Sequence, residues 1–195
     1  MRFRLIWILC FVLFAHSEAR ADLSFTMVED GSDVVLTGSG TVDLTDMGRR
    51  GTFTKGAEAF PVLSIFVTGS ATPATVELRT GGAIGPNSFG AGSTRVSASF
   101  GSGDTFGLNG PPANSSQFGG LWLPNGYSSG SFLSGSSTYS NHSYDSLGIT
   151  PGDYSWTVKN NTVTLSVVPS PIPEPGVFLL SSMATSLLLL RRKRS

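Results

Sequence analysis

Pro151-Gly152-Asp153-Tyr154-Ser155-Trp156-Thr157-Val158-Lys159-Asn160-Asn161-Thr162-Val163-Thr164-Leu165-Ser166-Val167 is the stretch that decides the fold. Tyr154, Trp156 and Val158 alternate with polar residues, and after Asn160-Asn161 so do Val163, Leu165 and Val167. A period of two marks a half-buried strand, and two such runs around a short polar turn form a β-hairpin. Pro151-Gly152 provides a tight turn before the first strand. Asn160-Asn161 suits the positive φ angles of a type I′ connection.

Upstream the same period recurs in shorter runs. Leu23, Phe25 and Met27 alternate with Ser24 and Thr26, predicting a strand that ends at Glu29-Asp30-Gly31-Ser32. Strands are expected at 33–36 and 41–44, separated by Thr37-Gly38-Ser39-Gly40, with a polar turn over 46–51. The continuous apolar run 60–67 predicts a strand buried on both faces, its early Pro61 suiting only a strand beginning or an edge. Residues 75–79 and 95–100 are further alternating candidates, the latter with Val96, Ala98 and Phe100 on one face. Residues 81–87 and 101–114, rich in glycine and proline, read as surface loops without regular structure. With 24 glycines, abundant Ser and Thr and few strong helix formers, the composition is that of a β protein. The expectation is all-β: a single antiparallel β-sandwich over 22–168, jelly-roll-like or Ig-like.

The two ends read as addresses. Arg2 and Arg4, an apolar core over 5–15, and Ala19-Arg20-Ala21 have the layout of a secretory signal peptide, 1–21, whose removal leaves Asp22 at the mature N-terminus. Cys10 is preceded by Leu9, where a lipoprotein signal wants a small residue. At the other end, a proline-rich spacer over 169–175 carries Pro173-Glu174-Pro175 and leads into an apolar stretch, 176–190, predicting a transmembrane helix. At 1.5 Å per residue that helix is only about 22 Å long, shorter than the usual hydrocarbon thickness. Arg191, Arg192, Lys193 and Arg194 form a basic stop-transfer, and their sign places this end in the cytoplasm.

This ordered set over 171–195 resembles the PEP-CTERM sorting signal of Gram-negative bacteria: a Pro-Glu-Pro motif, a short transmembrane helix and a terminal basic cluster. The resemblance implies recognition by an exosortase, a membrane-embedded cysteine transpeptidase, with cleavage near the motif. It also implies an inner-membrane intermediate, held transiently through 176–190, followed by transfer to the cell envelope surface or the extracellular space. Leu121-Trp122-Leu123-Pro124-Asn125-Gly126-Tyr127 and the segments 134–139 and 147–156 are similar to segments that recur in other members of this group. The partners expected during export are signal peptidase, from the signal segment, and the exosortase, from the resemblance; extracellular polysaccharide is a further candidate partner.

Between the tags, eleven acidic residues stand against six basic ones over 22–172, a net charge near minus five. Such a surface does not suit a nucleic acid. The single cysteine, Cys10, leaves with the signal, so the mature domain has no disulfide, thiolate nucleophile or cysteine metal ligand. His142, its sole histidine, lies in a polar turn with no identifiable orienting partner and reads as a solvated loop residue. Glu29, Asp30 and Asp33 cluster on one turn, with Asp43 and Asp46 close behind, but lack the spacing of a calcium loop. No catalytic residue, metal or cofactor is expected. Trp122 and Tyr127, flanking the Pro124-Asn125-Gly126 turn, are expected to be exposed and are the candidate glycan contacts. The function expected is structural or adhesive in an exopolysaccharide or biofilm matrix. The alternatives are a carbohydrate-binding module and a glycoside hydrolase acting through paired carboxylates.

Overall fold

A computed structural model describes residues 21–111 and 119–170. Two seven-stranded sheets contain more than half of these residues. The first contains β1 (Ala21–Asp30), β2 (Asp33–Gly40), β7 (Ala83–Ile84), β9 (Phe100–Gly103), β12 (Leu133–Tyr139), β13 (Gly152–Val158) and β14 (Asn161–Val167). The second contains β3 (Gly48–Lys55), β4 (Glu58–Phe60), β5 (Ile65–Thr68), β6 (Ala74–Thr80), β8 (Val96–Ser97), β10 (Phe106–Asn109) and β11 (Gly120–Pro124). Their spatial orders are β7-β13-β14-β1-β2-β12-β9 and β3-β6-β11-β10-β5-β4-β8. Helix is confined, among the described residues, to α1 (Tyr144–Leu147) and a 3₁₀ turn at Pro61–Leu63.

The inward faces of the two sheets meet in one aromatic core. Phe25 of β1 packs edge-on against Phe66 of β5 at 4.9 Å and lies 5.3 Å from Phe106 of β10. Phe66 in turn approaches Trp156 of β13 at 5.6 Å and Phe89 at 5.8 Å. Edge-to-face rings at such spacings add about 0.5–1.5 kcal/mol per pair to the burial itself. The arrangement is sandwich-like, and its inward residues are those the two-residue period selects. Leu23, Phe25, Met27, Val163, Leu165 and Val167 are all buried, while Ser24 and Thr164 between them are exposed.

One central pairing departs from the antiparallel expectation. β1 and β14 run parallel, from Ala21↔Asn161 to Met27↔Val167, while the other strand pairs are antiparallel. These strands come from opposite ends of the domain, so no hairpin dictates their direction. What they share is an inward apolar row in matching register.

Other local expectations are also corrected. Residues 33–40 are one strand, not a strand and a turn, and 41–44 is not a strand. Gly38 faces inward where Phe25 needs room: a Cβ there would meet the Phe25 ring at 2.5 Å. The polar run 46–51 is a turn only at its start, where Asp46 takes φ 62, and from Gly48 it opens β3, with a register shift between Arg49 and Gly51. The apolar run 60–67 breaks at Pro61 into β4, the 3₁₀ turn and β5, and only β5 is buried throughout. Proline has no N–H for a ladder, and Ser64 closes the turn in the left-handed region at φ 51. Residues 95–100 divide between two sheets, leaving Phe100 exposed. The glycine-rich stretch expected to be loop contains β9 and the central strand β10, whose Phe106 and Leu108 are fully buried. Asn160-Asn161 does not take the positive φ angles. Lys159 does, at φ 55, because Asn161 is drawn into the interior.

The signal segment with Ala19, the sorting motif Pro173, Glu174 and Pro175, the span 176–190 and the cluster Arg191, Arg192, Lys193 and Arg194 lie outside the described residues. Among the described residues no helix is long and apolar enough to cross a membrane. Ala21, at the expected cleavage site, is buried at the start of β1.

Candidate functional site

The outward face of the first sheet is built from the residues that alternate with the core. Across the strands, Thr164, Ser24, Ser39 and Ser134 form one row, set by Ser24↔Thr164, Ser24↔Ser39 and Ser134↔Ser39. Ser166, Thr26, Thr37, Ser136 and Ser102 form the next. Strand spacing near 4.8 Å and an i, i+2 repeat near 6.7 Å make this a lattice of hydroxyl groups. Over β1, β2, β12 and β9 the lattice is concave, with a groove of about 370 Å³ lined only by Ser, Thr and Gly. Every serine or threonine hydroxyl can donate one hydrogen bond and accept two. Asp104, which follows β9, is committed to the Ser134 backbone, its Oδ2 accepting from the N–H at 3.1 Å.

The expected glycan contacts are elsewhere and covered. Trp122 is 6% exposed and Tyr127 8%, correcting the expectation that both are exposed. Trp122 lies on the outward side of the second sheet in a small cluster with Val67, Val76 and Leu78. Phe53 packs on it edge-on at 5.3 Å, and the Lys55 ammonium sits 4.8 Å above its ring. Tyr127 is held inward by its hydroxyl, which donates to the Ser131 carbonyl at 2.5 Å and accepts from the Val42 N–H at 2.9 Å. Val42 is 85 residues away, so the turn sequence could not reveal the burial. Tyr154 and Trp156, read as core, stack at 6.1 Å, and the Trp156 N–H donates to the Pro86 carbonyl at 2.7 Å.

The acidic groups serve the framework. Glu77 is buried between Arg49 and Arg79, at 2.9 and 2.8 Å. Glu58 is buried between Lys55 and Arg95. Burial lowers the Lys55 pKa, and the Glu58 carboxylate opposes that shift. Glu29 accepts from the Tyr144 N–H, and Asp33 from the Asn141 N–H at 2.9 Å, so the acidic turn clamps the entry to α1. Hydrogen bonds from Thr45, first its hydroxyl and then its backbone N–H, hold the Asp43 carboxyl below its usual pKa. Among the described residues no group of three or more His, Cys, Asp or Glu could hold a metal ion.

His142 has a serine neighbour, Nδ1 lying 3.1 Å from Ser146 Oγ beside a groove along 91–96. That hydroxyl already donates to the Ser143 carbonyl at 2.9 Å and accepts from the Ser143 N–H at 2.9 Å. It is half of the capping box of α1, so its proton points at the backbone rather than at the imidazole. Ser146 thus serves the cap of α1 with Ser143, and His142 only borders it.

Comparison with family models, with curated proteins and with solved structures finds no match.

Proposed function

We propose that the chain is an exported domain of the cell surface or extracellular matrix, non-enzymatic, with a structural or adhesive role in an exopolysaccharide or biofilm matrix. Signal peptidase releases it at Ala21, and an exosortase acts at Pro173-Glu174-Pro175 after a transient stay in the inner membrane. The topology class we propose is a jelly-roll-like or Ig-like sandwich. The observation that carries the reading is the ordered set in the sequence: Pro173-Glu174-Pro175, the apolar stretch 176–190 and the basic cluster 191–194, in a chain that opens with the signal-like segment 1–21. A non-enzymatic role is supported by the commitment of Glu58 and Glu77 to ion pairs and of Glu29 and Asp33 to turns.

Mass spectrometry of the protein from a host with a working exosortase tests the sorting. The expected species begins at Asp22 and ends near the Pro-Glu-Pro motif, and Glu174→Ala leaves the tail attached. An intact tail on the wild-type chain overturns the proposal.

A further inference from the structure

We infer that the hydroxyl groove on the outward face of β1, β2, β12 and β9 binds a neutral, polyhydroxylated polymer chain. Three observations converge on that chemistry. The groove is lined by Ser, Thr and Gly alone, and so offers donors and acceptors together but no charge. A ligand studded with hydroxyls can match both kinds of group without stranding an ion in the interface.

The second observation is where the exposed apolar side chains stand. Phe100, paired with Thr138, is 68% exposed at one end of the groove, and Phe132, immediately before β12, is 69% exposed at the other. The intervening strand separates them by roughly 20 Å at about 3.3 Å per residue. A sugar ring has polar edges and apolar C–H faces, so a chain lying along β12 would stack on a ring at each end and hydrogen-bond between them. A ring at each end and hydroxyls between them would give such a chain both kinds of contact.

The third is charge. With eleven acids to six bases, the domain between the tags repels a polyanion, which favours a neutral chain over an acidic one. The choice of a polysaccharide rests on the matrix reading above; the location of the surface does not.

Affinity electrophoresis of the secreted protein through gels containing dextran, a β-glucan or a galactomannan, with alginate as the acidic counterpart, tests the inference. At least one neutral polymer is expected to retard the protein, independently of salt, and alginate is not. Thr37→Lys, which puts a charge in the groove centre, and Phe100→Ala are each expected to weaken retardation roughly tenfold, which is about 1.4 kcal/mol. Both positions are exposed, and an unchanged thermal midpoint shows that the variants fold. Retardation by none of the neutral polymers, or undiminished retardation of both folded variants, overturns the inference. Correct processing without polymer binding defeats this proposal alone. Polymer binding with an intact tail defeats only the sorting.

Discussion

At Gly38 a single missing atom sets the contact between the sheets. The Phe25 ring occupies the space its Cβ would fill, and Phe66 and Phe106 hold that ring from the other side. Gly38→Ala is therefore expected to overpack the core and cost about 1–3 kcal/mol, read as a lower denaturation midpoint at unchanged slope. An unchanged midpoint would mean that Phe25 can move aside. Asn161 makes the opposite kind of commitment. Its side chain accepts from the Asp43 N–H at 2.7 Å and donates to the carbonyls of Asp43 at 2.9 Å and Val158 at 3.0 Å, inside the protein. In sequence it reads as a turn asparagine, because its partner Asp43 is 118 residues away.

Among the elements, the closing hairpin shows how far pattern reaches. β13 and β14 pair in the register the alternation implies, Trp156 opposite Val163 and Tyr154 opposite Leu165. The turn between them does not follow: with Asn161 inside, the left-handed position falls on Lys159. A non-glycine residue there carries a backbone cost of about 1–2 kcal/mol. Lys159→Gly is expected to recover part of it, raising stability by roughly 0.5–1 kcal/mol in chemical denaturation. Destabilisation would show that the lysine stem, against which Gly81 packs, outweighs the strain. β10 is the converse element. Gly107 stands between Phe106 and Leu108 where a Cβ would meet the Phe66 carbonyl at 2.0 Å. What looks like a loop-forming glycine is a place where two backbones need to come close.

In the whole molecule, all four tyrosines are folded into the framework, and burial is the first cause raising each phenol's pKa. For Tyr144 the value is pushed to about 12, with the Glu29 charge adding to the burial. A folded-state pKa above the unfolded one gives stability that is complete below the unfolded value and is lost as pH rises through the folded value. For Tyr144 that window runs from 10.0 to about 12. Ultraviolet titration is expected to show tyrosinate appearing late, together with unfolding; four phenols titrating freely near pH 10 would contradict the packing. The sequence by itself determined the β class, the inward rows of β1, β13 and β14, and the hydroxyls alternating with them, because side-chain direction in a strand has a period of two residues. Tertiary structure alone decided the parallel β1–β14 pairing, the burial of Trp122 and Tyr127, the ion pairs around Glu58 and Glu77, and the assembly of scattered serines and threonines into one groove. Those outcomes depend on contacts such as Tyr127 with Val42, 85 residues apart, and a local pattern carries no information about which distant strand will lie alongside.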